Sequence, residues 1–355
     1  MFTYQALKEY LFRLDPETAH NLAESAVRLS RLCTPCQNYF IEKNFVLDDR
    51  LNQIVFDKKF LNPVGLAAGF DKNATMIRQS AMFGFGFTEV GTITPKAQDG
   101  NAKPRVFRFV EEESLQNAFG FNNQGMQAVK KRLERSYPFV LPVGVNIGKN
   151  KLTADKTAIN DYRMLIETLE AYADYMVINI SSPNTKGLRT LQNEEFIKDL
   201  FEMSKELTNK PILLKIAPDL DKKDALNLCT KAVEHGAKGI VATNTTIDYS
   251  LLQDAKNFGG ISGKVLADKS FEIFDYIAAE LYGHTTLISV GGIDSAEEAY
   301  RRIKAGASLV QIYTSFIFKG PSIAKQINEG IMELMNFDGF AHISEAIGVD
   351  RKPRR

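Results

Sequence analysis

Cysteine and histidine are both scarce in this 355-residue chain, three of one and four of the other. A structural zinc needs four ligands, and the close pair Cys33 and Cys36 has no second pair to complete it. That pair follows a helical pattern near the N-terminus, away from any strand–helix–strand unit. It is read as two free, inert thiols, and Cys229, isolated in a helical pattern, as packing. Such usage suits a reducing compartment, and no metal site is expected. No apolar run approaches the roughly 18 residues of a membrane-spanning helix. Lys8, Glu9 and Arg13 break up any early apolar stretch, so no signal peptide is read. Formal charge balances to +1, which leaves no field favouring nucleic acid. Low complexity is absent, and the only repetition is a strand–helix rhythm. What is present is an ordinary globular composition, 44% apolar and 25% charged. It suits one large domain with a small appendage.

The most informative stretch is 175–189. Met176, Val177, Ile178 and Ile180 make the apolar run of a strand covered on both faces, and Asn179 interrupts it with an amide that needs partners. Pro183 ends the ladder. Ser181, Ser182, Asn184, Thr185 and Arg189 therefore gather at the C-terminal end of one strand, where an α/β barrel keeps its chemistry. Strand-like segments recur at 64–68, 87–91, 143–147, 176–180, 212–216, 240–244, 286–290 and 309–313. Each is followed by a loop and a helical pattern, and eight such units in roughly 270–290 residues predict an α/β fold, a (β/α)8 TIM barrel. Before it, residues 3–13 and 17–32 read as two helices joined at Asp15-Pro16, with Asp15 as N-cap. Leu7, Leu11 and Leu14 form one apolar stripe. Leu22, Ala26, Leu29 and Leu32 form another, and Phe2, Tyr4, Tyr10 and Phe12 add aromatics. Residues 51–60 suit a hairpin plugging the N-terminal mouth of the barrel. The last 20 or so residues show little pattern, and the basic end from Arg351 reads as solvated.

A series of motifs runs in order through these segments: Gly65-Leu-Ala-Ala-Gly-Phe-Asp-Lys72, Glu89-Val-Gly-Thr-Ile-Thr-Pro95, Asn117-Ala-Phe-Gly-Phe-Asn-Asn123, Asn146-Ile-Gly-Lys-Asn150, the 179–189 stretch, Lys215-Ile-Ala-Pro-Asp219, Ala242-Thr-Asn-Thr-Thr246, Gly259-Gly-Ile-Ser-Gly263, Val290-Gly-Gly-Ile293 and Val310-Gln-Ile-Tyr313. With them the chain resembles the dihydroorotate dehydrogenases, FMN enzymes of pyrimidine synthesis, from its N-terminal helices to about residue 330. Ser at 182 and the N-terminal extension look like class 2, the membrane-associated, quinone-using class; the soluble class usually has Cys there.

The resemblance implies a division into a helical hairpin for membrane and quinone access (1–40), an FMN-binding barrel (41–335) and a C-terminal tail (336–355). It places FMN against Ala67, Ala68, Gly69, Phe70, Asp71, Thr92, Asn146, Asn179, Lys215, Thr243, Gly263, Gly292, Tyr313 and Thr314. Glycines at strand ends let backbone N–H groups approach a phosphate. Lys215, in an otherwise apolar strand, suits the negative charge near N1 of reduced flavin. Substrate is expected at Lys72, Asn117, Ala118, Phe119, Gly120, Phe121, Asn179, Asn184, Asn244 and Thr245, with Lys72 meeting the carboxylate and the amides satisfying the ring. Ser182 is the expected base for the C5 proton while hydride leaves C6 for FMN. No His lies beside it in the motifs, so it needs a relay through water, Thr or Asn. His20, Arg108 and Tyr313 are expected to line the quinone's approach. The expected partners are dihydroorotate and orotate, a membrane quinone, and a membrane surface met by the N-terminal helices, with no nucleic acid. The expected location is peripheral, on the cytoplasmic face of the inner membrane. Ala118, Lys186 and Ser315 depart from the family's usual residues. The alternatives are the same chemistry with fumarate or NAD as acceptor, a flavin barrel acting on RNA, and a non-redox phosphate-binding barrel.

Overall fold

Period-two alternation decides which side chains see the interior of a barrel and which see the helices around it. The computed structural model describes residues 4–351. Helices α1 (Tyr4–Arg13), α2 (Pro16–Leu29) and α3 (Thr34–Asn44) come first, then a hairpin of β1 (Gln53–Val55) and β2 (Lys58–Phe60). Next come β3 (Val64–Leu66), β4 (Phe87–Ile93), β5 (Val106–Phe109), β6 (Ser114–Asn117), α4 (Met126–Ser136), β7 (Val143–Ile147), α5 (Ala158–Leu169), β8 (Tyr175–Asn179), α6 (Glu194–Leu207), β9 (Ile212–Ile216), α7 (Lys222–Glu234), β10 (Gly239–Ala242) and β11 (Gly260–Gly263). The chain ends with α8 (Ala267–Leu281), β12 (Thr286–Val290), α9 (Ala296–Lys304), β13 (Leu309–Ile312), α10 (Thr314–Lys319), α11 (Ile323–Asp338) and α12 (Ile343–Ala346).

Eight strands close a parallel barrel in the order β3-β4-β7-β8-β9-β10-β12-β13, and β13 returns to β3 through Val310 opposite Val64. This is the (β/α)8 barrel expected from the sequence, with its strands where the apolar runs lie. Inward columns begin apolar and end polar: Tyr175, Val177, Asn179 on β8; Leu213, Lys215 on β9; Leu309, Gln311 on β13; Phe87, Glu89 on β4. The alternate residues, such as Met176, Ile178, Leu214 and Val310, pack outward in the larger core against the helices. At the bottom the hairpin does plug the mouth. Phe60 meets Phe87 at 5.3 Å between centroids and Phe56 meets Tyr175 at 5.5 Å.

The sequence reading lacked three features. Strands β5, β6 and β11 form an antiparallel sheet over the C-terminal mouth, with Gly260 and Val106 both opposite Asn117. The appendage has a third helix, α3. And Cys33 and Cys36 are not free thiols but disulfide-bonded: they sit one turn apart at the start of α3, with Cα atoms 5.2 Å apart, within bridging range. Arg351 is also not solvated, since its guanidinium pairs with Asp275 and its Nε donates to the Ala305 carbonyl at 3.1 Å. Phe2 and the basic residues after 351 lie outside the described residues.

Helix α1 meets the barrel at α10. Tyr4 donates to the Ile317 carbonyl at 2.5 Å and Lys8 to that of Phe318 at 3.2 Å. No residue of α1 is buried. The expected apolar stripes face outward instead of a core: Leu7 is 50% exposed, Leu22 54%, Leu29 65% and Leu32 78%. No described helix is long and apolar enough to cross a membrane.

Arg302 on α9 is fully buried. It gives Nε to Glu298 at 2.6 Å, NH1 to Ser289 at 3.2 Å, and NH2 to the Ala267 and Gly291 carbonyls at 2.8 and 3.1 Å. Arg302→Met, which leaves these groups unpaired, is expected to lower stability by about 3 kcal/mol. The urea unfolding midpoint reads this, and Lys231→Met, at an exposed pair with Glu234, should leave the midpoint unchanged.

Candidate active site

Register brings the polar ends of neighbouring strands level. Asn179 on β8 pairs with Lys215 on β9, and Asn146 on β7 with Val177. The Asn179 amide donates to Thr92 Oγ1 at 3.0 Å and to Asn146 Oδ1 at 3.2 Å, and Thr92 Oγ1 donates to Asn146 Oδ1 at 2.5 Å. Beneath them Glu89, fully buried, accepts from the Asn146 amide at 2.7 Å and from the Gln311 amide at 2.6 Å. Asn244 donates to Ser181 Oγ at 2.9 Å, and Ser181 Oγ donates to Asn179 Oδ1 at 3.0 Å. Each short polar side chain is thus oriented by its neighbours, as buried amides require.

Above this floor lies a pocket of about 1170 Å³ of empty space, open solvent included, roofed by Asn117, residues 119–122 and residues 262–264. Lys215 is 5% exposed and forms no hydrogen bond or ion pair with another described residue. Burial pulls its pKa down, against the opposing charge of Glu89. Lys72 stands 4.4 Å from the centroid of the Phe119 ring, likewise without a hydrogen bond or ion pair among the described residues. Burial brings its pKa down to about 8, opposed by Glu24 and Glu17. Asn184 Oδ1, Thr245 Oγ1 and Gln311 Oε1 are buried without a partner. Ser182 is 6% exposed and its Oγ accepts only weakly, from the Asn184 N–H at 3.3 Å.

The other end of the cavity is backbone. Gly263 and Gly292 adopt φ of 107° and 72°, and a Cβ on Gly292 would run into the backbone of Ala267 at the start of α8. The same end is lined by Lys264 and Leu266 just before α8, Ile293 and Asp294 just before α9, and Thr314 and Ser315 in the first turn of α10.

The family model for dihydroorotate dehydrogenase matches residues 50–335. The chain belongs to the dihydroorotate dehydrogenase family. It is 60% identical over 352 residues, 99% of this chain and all of the relative, to a protein of Sulfurimonas denitrificans named dihydroorotate dehydrogenase (quinone). A protein of the same name from Thermus thermophilus is 42% identical over 96% of this chain and 99% of its own. The crystal structure of DHODH from Eimeria tenella in complex with ferulenol superposes with a TM-score of 0.87 at 36% identity, covering 96% of both chains.

Most residues expected from the resemblance to dihydroorotate dehydrogenases come together around the cavity: Ala67, Ala68, Gly69, Lys72, Thr92, Asn117, Phe119, Gly120, Phe121, Asn179, Ser182, Asn184, Lys215, Thr243, Asn244, Thr245, Gly263, Gly292, Tyr313 and Thr314 all line it. Six do not. Asn146 lies one layer below. Asp71 is buried, accepting from the Thr75 and Met76 N–H groups, both at 2.8 Å. Ala118 is buried with its N–H on the Arg105 carbonyl at 2.8 Å. Phe70 packs between His20, at 5.1 Å, and Tyr313, at 5.7 Å. Burial and the charge of Lys72 press the His20 pKa down to about 3, so its imidazole is neutral. Arg108 donates NH1 to the Phe12 and Leu14 carbonyls at 3.2 and 2.8 Å, clamping the corner between α1 and α2. Of the departures, Ser315 donates to the Ile293 carbonyl at 2.8 Å and Lys186 is exposed.

Sequence reasoning missed Glu89, Gln311, Asn122 and Arg105. For Glu89 and Gln311 a signal existed, since each is a polar residue in an apolar strand, the argument that singled out Lys215. Arg189, noted at once, proves to be a staple. Nε donates to the Ser181 carbonyl at 2.8 Å, NH1 to Asp219 at 2.9 Å and NH2 to the Thr245 carbonyl at 2.9 Å. It ties the Ser182 loop to the ends of β9 and β10. Arg189→Met is expected to speed hydrogen exchange of amides 182 and 184–188 by about tenfold or more, with the barrel strands unaffected. Unchanged exchange would show that the guanidinium does not hold the loop.

Proposed function

We propose that the chain oxidises (S)-dihydroorotate to orotate with FMN in the cavity and a membrane quinone as final acceptor, in de novo UMP synthesis. Family membership and the names of the relatives support this reaction. The observation that carries the site is a pair of ammonium groups, buried Lys215 and half-buried Lys72, facing one cavity with no hydrogen-bonded or ion-paired carboxylate among the described residues. Two anionic groups are the natural occupants.

The cavity fits FMN. Gly263, Gly292 and Thr314, with Ala67, Ala68, Gly69, Thr92, Asn179, Thr243 and Tyr313, are the residues proposed to hold it, with Phe70, Asp71 and Asn146 behind that lining. The glycine turns and helix starts suit a phosphate dianion, and Lys215 suits charge near N1. When bound, FMN supplies the hydride acceptor and the route for electrons to the quinone. Lys72 binds the substrate carboxylate. Asn117, Asn184, Asn244 and Thr245 offer the ring donors and acceptors, two of them now unpaired (Asn184 Oδ1 and Thr245 Oγ1), with residues 118–121 closing over it. Asn179 spans both groups. Ser182 Oγ is proposed to take the C5 proton. No carboxylate or imidazole is hydrogen-bonded to it among the described residues, so it works through a relay, with orientation supplying much of the rate.

Neutral His20, Arg108 and Tyr313 are proposed to line the acceptor's approach. The outward apolar residues of α1–α3 suit a surface resting in the membrane interface, peripheral on the cytoplasmic face of the inner membrane. The division into 1–40, 41–335 and 336–355 is kept on this reading.

An anaerobic mix with dihydroorotate should bleach the yellow flavin, and a short-chain quinone, not fumarate or NAD, should restore it. A yellow protein that does not bleach has another substrate. Ser182→Ala should retain FMN and orotate but slow bleaching by about two to four orders of magnitude; near-normal bleaching rules out Ser182 as base. Because the ammonium form of Lys72 binds the carboxylate, dihydroorotate affinity should hold below pH 8 and weaken above Lys72's pKa of about 8, by up to about tenfold per pH unit. A pH profile of KM reads this, and Lys72→Met should remove the dependence.

A further inference from the structure

One buried ion pair joins the appendage to the loops over the cavity. Glu17, in the first turn of α2, is 8% exposed, and Arg105, just before β5, is 6% exposed. Arg105 Nε donates to Glu17 Oε2 at 3.0 Å and NH2 to Oε1 at 2.7 Å, a two-pronged pairing. Lys103 adds a third charge 3.4 Å from Glu17. Burial disfavours the Glu17 carboxylate, but Arg105 and Lys103 outweigh it and hold its pKa below the ordinary value. Neither Glu17 nor Arg105 lines the cavity. Well-packed apolar side chains give as much stability as such a pair, or more, so its presence calls for a positional reason.

The contacts of Arg105 supply one. Its NH1 donates to the carbonyls of Asp99 and Asn101 at 2.6 and 2.7 Å, fixing that turn. The Asn101 amide group then donates to the Ala118 and Asn184 carbonyls, both at 3.0 Å, and its backbone N–H to the Phe119 carbonyl at 3.0 Å. The two segments that carry Asn117, Phe119, Ser182 and Asn184 therefore meet at one residue, and that residue hangs from Arg105. The Phe119 ring, in turn, lies against Lys72.

We propose that Glu17 and Arg105 are positioning residues for the dihydroorotate site: helix α2, acting through this pair and Asn101, sets where Asn117, Phe119 and Asn184 stand over the substrate. This rests on reading the cavity as that site. Since His20 follows Glu17 by one turn of α2, a shift of the helix is felt on the substrate side and on the Phe70–Tyr313 side together.

The test is stopped-flow flavin reduction by dihydroorotate in the full-length holoenzyme, which separates substrate Kd from the limiting rate. Glu17→Gln removes the charge and keeps the shape; Glu17→Asp keeps the charge. Glu17→Gln is expected to raise Kd about tenfold, with limiting rate, FMN content and Tm near those of the parent and most of the affinity recovered in Glu17→Asp. An unchanged Kd in Glu17→Gln overturns the proposal. So does a joint fall in affinity, limiting rate and FMN content in both variants, which marks general loosening. If Glu17→Gln does not fold, Asn101→Ala carries the same test from the other end of the chain of contacts, with the same two overturning results. A parent enzyme that dihydroorotate does not reduce overturns the reading of the cavity itself. A parent that is reduced, beside a Glu17→Gln variant of equal Kd, overturns this inference alone.

Discussion

A carboxylate sealed inside a barrel is the constraint on which the site depends. Glu89 is fully buried, and a buried charge must be met by donors or counter-charge. Asn146 and Gln311 meet it with their amides, which commits both rotamers. With its amide spent downward, Asn146 presents Oδ1 upward, where it accepts from Thr92 and Asn179. The order of the cavity floor is thus inherited from one acid below it. The same acid opposes the burial penalty on the Lys215 ammonium. Floor geometry and floor charge have a common source.

The barrel was legible because its information is local. Each strand is a short apolar run, and inward–outward alternation follows from period two, so the eight strands fell where the runs fell. The site was legible for a related reason: polar residues at the ends of those runs can only point into the mouth. The antiparallel sheet was not legible. Residues 106–117 and 260–263 are short and mixed in character, and each becomes a strand only by pairing with another stretch far along the chain. The pairing of Glu17 with Arg105, 88 residues apart, leaves no periodic trace either. Cys33 and Cys36 were misjudged because a spacing of three was weighed as a ligand pattern instead of as one turn of helix.

Rigidity is divided unevenly between floor and roof. The floor is strand ends in a closed ladder. The roof is loops held by single cations: Arg189 over the Ser182 segment, Arg105 at the turn before β5, and Lys149, 1% exposed, whose ammonium donates to the Thr153 carbonyl at 2.8 Å. One guanidinium can collect carbonyls from several loops, which a hydrophobic contact cannot do with the same direction. That arrangement fixes where each loop sits through a small number of directed contacts.

The three-stranded sheet has a consequence for the order in which the molecule is built. Its middle strand, β6, lies between β5, its hairpin partner, and β11, which is made more than 140 residues later; Gln116 accepts from the N–H of Lys256 across that separation. The barrel closes later still, when β13 finds β3. During synthesis, then, the early half of the chain carries the residues of the roof without the strand that seats it, and Asn117 and Phe119 take their places only once the far half has emerged. Assembly of the cavity is a late event in the life of the chain, and a chain ending before residue 260 has no seat for its roof.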